Sequence, residues 1–98
     1  MKIIWSPLAL ERAAEIAEYI AQDSISASEK WINTIFEKVG QLKQFPKSGR
    51  TVPEIENNNF RELIYSNYRI VYHVGEKQVN ILTIRHGRQI LPIDEIVA

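Results

Sequence analysis

Three β-type runs separated by very short links constrain this chain more than anything else in it. They are Phe60-Arg61-Glu62-Leu63-Ile64-Tyr65, Tyr68-Arg69-Ile70-Val71-Tyr72-His73-Val74, and a third run from Val79 through Ile84-Arg85-His86-Gly87-Arg88. Ser66-Asn67 joins the first two and Gly75-Glu76-Lys77 joins the second pair. Links this short leave room only for antiparallel neighbours. Arg61, Arg69, Arg85 and Arg88 recur along these runs, with His86 among them. A buried guanidinium without a partner loses its hydration at great cost. Each arginine therefore has a partner, or the sheet presents a surface built to meet an anion.

The first half reads as helical. Residues 2–5 form a short strand, and Ser6-Pro7 supplies a serine N-cap followed by proline at the first helical position, where a missing N–H is harmless. Leu10, Ala13, Ala14, Ala17 and Ile20 repeat at intervals of three and four, with Glu11, Arg12, Glu15 and Glu18 outward, so a helix runs to about Gln22. Ser26-Ala27-Ser28-Glu29 has capping-box spacing and opens a second helix. Its stripe is Ile32, Ile35, Val39 and Leu42, flanked by Trp31 and Phe36, and Pro46 stops it. Two helices on a short polar link form an antiparallel hairpin. Residues 47–54 and Asn57-Asn58-Asn59 read as loops, and the tail 90–98 has no assignment. The expected architecture is α+β, in the order β-α-α-β-β-β. A helical hairpin packs on one face of a mainly antiparallel, twisted sheet, in a single domain over residues 1–98.

A chain of 98 residues supports only a marginal core. It lacks cysteine, which removes disulfides, thiolate metal sites and a cysteine nucleophile. No apolar run approaches membrane-spanning length, and a cytoplasmic location is the simplest expectation. The formal net charge is zero, yet charge is not evenly spread. Between residues 59 and 90, Arg61, Arg69, Lys77, Arg85 and Arg88 face only Glu62 and Glu76. That is a modest basic patch, not a polyanion-binding composition.

His73 and His86 lie on different strands without a carboxylate at ligand spacing, so neither a metal nor another cofactor is expected. Acid–base chemistry has better candidates. Cleavage of RNA through its 2′-hydroxyl needs a base, cations to steady the phosphorane, and an acid for the leaving oxygen. Glu54, the arginines and His86 could fill those roles. Each also has an ordinary structural reading, with Glu54 pairing Arg50 or Arg61 and His86 bonded to backbone. Tyr65, Tyr68 and Tyr72 could stack bases, but cross-strand packing explains them as well. Trp5 and Trp31 read as core residues.

The loop Pro46-x-x-Gly49-Arg50-x-Val52-Pro53-Glu54 precedes Arg61-Glu62-Leu63-Ile64, Tyr68-Arg69-Ile70-Val71-Tyr72 and Ile84-Arg85-His86-Gly87-Arg88. With Trp5-Ser6-Pro7-Leu8-Ala9 and the two helices, this ordered set resembles the RelE/ParE superfamily of bacterial toxins over essentially the whole chain. The resemblance implies a type II toxin neutralised by a cognate antitoxin. It leaves two targets open. RelE- and YoeB-like members are ribosome-dependent endoribonucleases that cut messenger RNA, and on that reading Glu54, Arg69 and His86 are catalytic. ParE-like members inhibit DNA gyrase without demonstrated nuclease activity, and there the tail 90–98 is a candidate contact. Arg50, Arg61, Arg85 and Arg88 are candidate phosphate or partner contacts under either reading. Nucleases of this group commonly carry a tyrosine beside or after the histidine, whereas Gly87-Arg88-Gln89 follows here. That ending and the neutral charge lean toward ParE.

Overall fold

The computed structural model describes residues 1–87 and 89–96; Arg88, Val97, Ala98 and the side chain of Ile93 lie outside it. Strand β1 (Lys2–Trp5) leads into helix α1 (Pro7–Ala21) and helix α2 (Ile25–Gly40). Strands β2 (Arg50–Thr51), β3 (Phe60–Tyr65), β4 (Tyr68–Val74) and β5 (Gln78–His86) follow. The sheet order is β1-β5-β4-β3-β2. β1 runs parallel to β5, and every other pairing is antiparallel. The expected α+β arrangement is therefore present, with one further strand.

Local chemistry sets the helix starts. Ser6 caps α1 by accepting a hydrogen bond from the Ala9 N–H, with Pro7 at the first helical position. Helix α2 opens two residues earlier than its capping-box spacing indicates, because Ser24 accepts from the Ala27 N–H. Ser28 is free for another task and donates to the Ala17 carbonyl at 2.6 Å, tying the two helices together. Pro46 does not end α2. The helix tightens at Gln41–Lys43 into a 3-10 turn, which turns Leu42 fully into the core.

The helices pack on one face of the sheet. Ala9 and Ala13 are buried, with Ile16, Ala17 and Ile20 beside them; Leu10 and Ala14 of the expected stripe are exposed. Small side chains on the inward face let α1 lie close to β5. Trp31, Ile35, Val39 and Leu42 meet Ile70, Tyr72, Val74, Val79, Ile81 and Ile84 in the same core. Trp31 packs edge-on against Tyr68, and Trp5 packs against Phe36. The tyrosines of β3 and β4 are thus packing residues, with Tyr72 wholly buried.

A second, smaller core covers the other face, where Val71 points away from Ile70 and Tyr72. Val52, Val71, Leu91 and Ile96 form it, with Ile55, Phe60 and Leu82 alongside. The β4–β5 register shifts between Val71 and Tyr72, which face Thr83 and Ile81, so Leu82 is an extra residue on β5. Such a bulge lets neighbouring side chains share a face. The described part of the tail, residues 90–96, is a strap across this face, with a 3-10 turn at Ile93–Glu95. Leu91 and Ile96 are buried and cannot serve as a free docking arm, although Ile90 is exposed.

The stretch read as a loop at 47–54 contributes β2, whose Arg50 and Thr51 pair with Glu62 and Arg61. Gly49 makes that approach feasible. Its N–H donates to the Tyr72 hydroxyl at 2.9 Å, and a Cβ there would fall 2.6 Å from both that oxygen and the Glu62 carbonyl. By contrast, a Cβ on Gly40 would meet nothing within 4 Å. Gly40→Ala should raise the unfolding free energy by about 0.5 kcal/mol, and Gly49→Ala should lower it by about 2 kcal/mol. Urea unfolding of both variants measures the difference; matched effects would contradict the close docking of this loop.

Candidate functional site

Arg69 is the charged group around which the non-helical face is organised. It lies on β4, directly opposite Arg85 of β5. Like charges in that relation destabilise a sheet, so each must find its own carboxylates. Arg69 is only 4% exposed. Its Nε donates to Glu62 Oε1 at 2.7 Å, and its Nη2 lies 2.6 Å from the same oxygen. Nη1 and Nη2 donate to the two oxygens of Glu54, both at 2.8 Å. Nη1 also donates to the Gln89 carbonyl at 3.3 Å. Of the five N–H donors of a guanidinium, four are hydrogen-bonded here, and Nη2 is also within ion-pair distance of Glu62.

Glu62, 1% exposed, was not among the residues that the sequence nominates. On β3 its direct neighbour is Val71, which places Arg69 two residues along β4 on the same face, within diagonal reach. Its second oxygen accepts from Arg50 Nε at 2.6 Å. The result is a chain of alternating charge, Arg50–Glu62–Arg69–Glu54, with no net charge. The signal that could have found Glu62 is alternation: in a half-buried strand an acidic residue on the inward side needs a cation nearby.

Glu54 pairs with Arg69, not with Arg50 or Arg61 as its loop position suggests. Its side chain is 29% exposed. Hydrogen bonding from Arg69 lowers its pKa from 4.5 to about 2, with burial opposing the shift and the Leu91 N–H assisting. Arg69 is reciprocally shifted upward, first by its bonds to Glu54. A carboxylate held this far below neutrality is a poor proton acceptor, because an efficient general base has a pKa near the working pH. A guanidinium with four donors already hydrogen-bonded has little capacity left for a phosphorane.

His86 adjoins this pair through Gln89, whose side-chain oxygen accepts from the His86 N–H at 3.3 Å and whose carbonyl accepts from Arg69. It stands opposite Tyr68 in register and packs edge-on against that ring, 5.8 Å between centroids. Alternation places it on the helix-facing side with Ile84, whereas Arg69 shares the opposite side with Val71. There it lines a cleft of about 270 Å³ with Arg12, Tyr68, Arg85 and Gln89. Of the nominated trio, Glu54 and Arg69 are paired directly, while alternation gives the His86 side chain the opposite face of the sheet.

The remaining nominated arginines among the described residues also have partners. Arg61 donates to the carbonyls of Lys47, Gly49 and Asn58, pinning the loop before β3. Arg85 reaches Glu95 at 3.4 Å, and Arg12 meets the same oxygen at 2.5 Å. Glu95, Arg12 and Gln89 are contributors that sequence reasoning missed, since their positions depend on how the tail folds back. Arg88 lies outside the described residues. Among the described residues no group of three or more histidine, cysteine, aspartate or glutamate side chains could hold a metal, and no helix is long and apolar enough to cross a membrane.

The Glu54 shift fixes a pH dependence. Its folded pKa is depressed, so its contribution to stability is complete above the unfolded value of 4.5 and is lost as pH falls toward about 2. Glu54→Gln lacks this contribution at every pH. The stability gap between wild type and variant should accordingly be widest near neutrality and narrow across that acid window. Urea midpoints measured through the window test this, and a gap that stays constant would contradict the pairing.

A family profile described as "ParE toxin of type II toxin-antitoxin system, parDE" matches residues 3–91. The chain is 34% identical over 93 residues to Y4kP of Sinorhizobium fredii (strain NBRC 101917 / NGR234), a protein named as a candidate toxin, with 93% of each chain covered. A solved structure titled "Chromosomal ParDE TA system from P. aeruginosa" has the same fold. It superposes with a TM-score of 0.71 at 24% identity, covering 88% of this chain and 95% of that one. Profile and relative, each spanning nearly the whole sequence, agree with the fold: the chain belongs to the ParE toxin family of type II toxin–antitoxin systems.

Proposed function

We propose that this protein arrests growth by binding and inhibiting DNA gyrase in the cytoplasm, without cleaving nucleic acid, and that a cognate antitoxin neutralises it. The observation that carries this reading is the engagement of Arg69 by Glu54, Glu62 and the Gln89 carbonyl. Ribonuclease chemistry at these positions requires a proton-accepting glutamate and a cation with donors to spare. Here the two neutralise each other, and His86 stands on the other side of the sheet. Family membership supports the antitoxin, since the matching family is defined by the toxin of a toxin–antitoxin pair. A binding toxin also accords with a chain of zero formal net charge.

A gyrase supercoiling assay with purified protein, with and without antitoxin, tests the proposal. Inhibition that the antitoxin relieves is expected. His86→Ala should inhibit within about threefold of wild type, whereas losing a catalytic acid–base group typically costs about 10²–10⁴-fold. Gyrase left untouched at large excess, together with messenger RNA cut on translating ribosomes in a His86-dependent way, would overturn it.

A further inference from the structure

The geometry points to a latent oxyanion-binding site at Arg69 that the protein keeps closed with its own Glu54 carboxylate. Glu54 meets the outer pair of Arg69 nitrogens fork to fork, oxygen to nitrogen, at 2.8 Å on each arm. That is how a bound carboxylate or phosphate engages an arginine. The two carboxylates on Arg69 are not equivalent. Glu62 belongs to β3, has a wholly buried side chain, and is shared with Arg50. Glu54 comes from the loop between β2 and β3 and is the partner on the solvent side, with its side chain 29% exposed.

Removing the Glu54 charge would leave Arg50 and Arg69 sharing the single charge of Glu62, a local excess of one positive charge. It would also release one donor on each outer nitrogen of Arg69. The Leu91 N–H, which points at Glu54 Oε2 at 3.4 Å, would become a further donor at the same place. Two parallel guanidinium donors and a backbone N–H facing an opening to solvent make an oxyanion cradle.

In the wild-type chain the cradle is occupied by a tethered competitor. An attached group acts at an effective concentration of millimolar or more, so a free anion of moderate affinity does not displace it. This property is independent of which cellular target the toxin has, and a failed gyrase assay would leave it standing.

The test compares wild type, Glu54→Ala and Glu54→Gln in inorganic phosphate and, separately, in acetate, with chloride holding ionic strength constant. Thermal midpoints report binding, and arginine Nε–H resonances report its location. Glu54→Ala should show a saturable rise in midpoint, half-complete at a concentration on the order of millimolar, with the Arg69 Nε–H resonance shifting in parallel. Wild type should respond at least about tenfold more weakly. A response to phosphate alone would identify a tetrahedral site, and a response to both anions a general oxyanion site. Glu54→Gln preserves side-chain volume, and should show the same response more weakly if Glu54→Ala does not fold. The inference is overturned if neither variant gains a saturable response, if the shift appears at Arg50 or Arg61 and not at Arg69, or if wild type binds as well as the variants.

Discussion

Two arginines placed directly opposite one another, Arg69 and Arg85, set the electrostatic problem that much of this structure resolves. Their repulsion is relieved by drawing carboxylates from elsewhere in the chain. Glu54 comes from the loop between β2 and β3, Glu62 from β3, and Glu95 from the folded-back tail. Each of those ties also places a segment. Glu54 holds its loop beside Val52 of the second core, and Glu95 anchors the strap that buries Leu91 and Ile96. Charge pairing and apolar burial thus act on the same segments, which matters in a chain whose single main core is small.

The energetic sign of such a network is easily misjudged. Taking Arg69 and Glu62 out of water costs several kcal/mol for each ion, so the network need not make the fold more stable than an apolar replacement would. Once built, however, it penalises the loss of any member, because an unpaired buried charge remains behind. Its main consequence is specificity. Only one docking of loop 47–59 brings Arg50 to Glu62, Glu54 to Arg69 and Gly49 against Tyr72 together. The same closure bears on function, since a site with its cation and its carboxylate bound to each other is chemically quiet. This quietness is what the proposed non-catalytic, binding mode of action draws on.

Much of the fold was legible in the sequence because it is determined locally. Ser6-Pro7 marked the start of α1, and the short links at Ser66-Asn67 and Gly75-Glu76-Lys77 forced the β3–β4–β5 meander. The misplacements have local causes too. Ser24 and Ser26 both suit an N-cap, and the glutamate after Ser26 favoured the wrong one. Pro46 looked like a helix stop, but burial of Leu42 had already tightened the chain. What could not be read was non-local: the parallel pairing of β1 with β5, the two-residue strand β2, and the fold-back of the tail. The candidate site shows the same division. Glu54, Arg69 and His86 stood out as residue types, but only the register of β3 on β4 shows Glu62 between the arginines. Only the alternation along β5 puts His86 on the far side.

Glu54 is paired with Arg69, and its carboxyl carbon reports directly whether that pairing keeps it from acting as a proton acceptor. Its chemical shift followed by NMR against pH should titrate at about 2, with the Arg69 Nε–H resonance changing in the same step. A titration near the ordinary 4.5 would mean that the fork is not formed in solution. A value near neutrality would mean that Glu54 is poised as a base, and the reading of this face as self-neutralised would be contradicted.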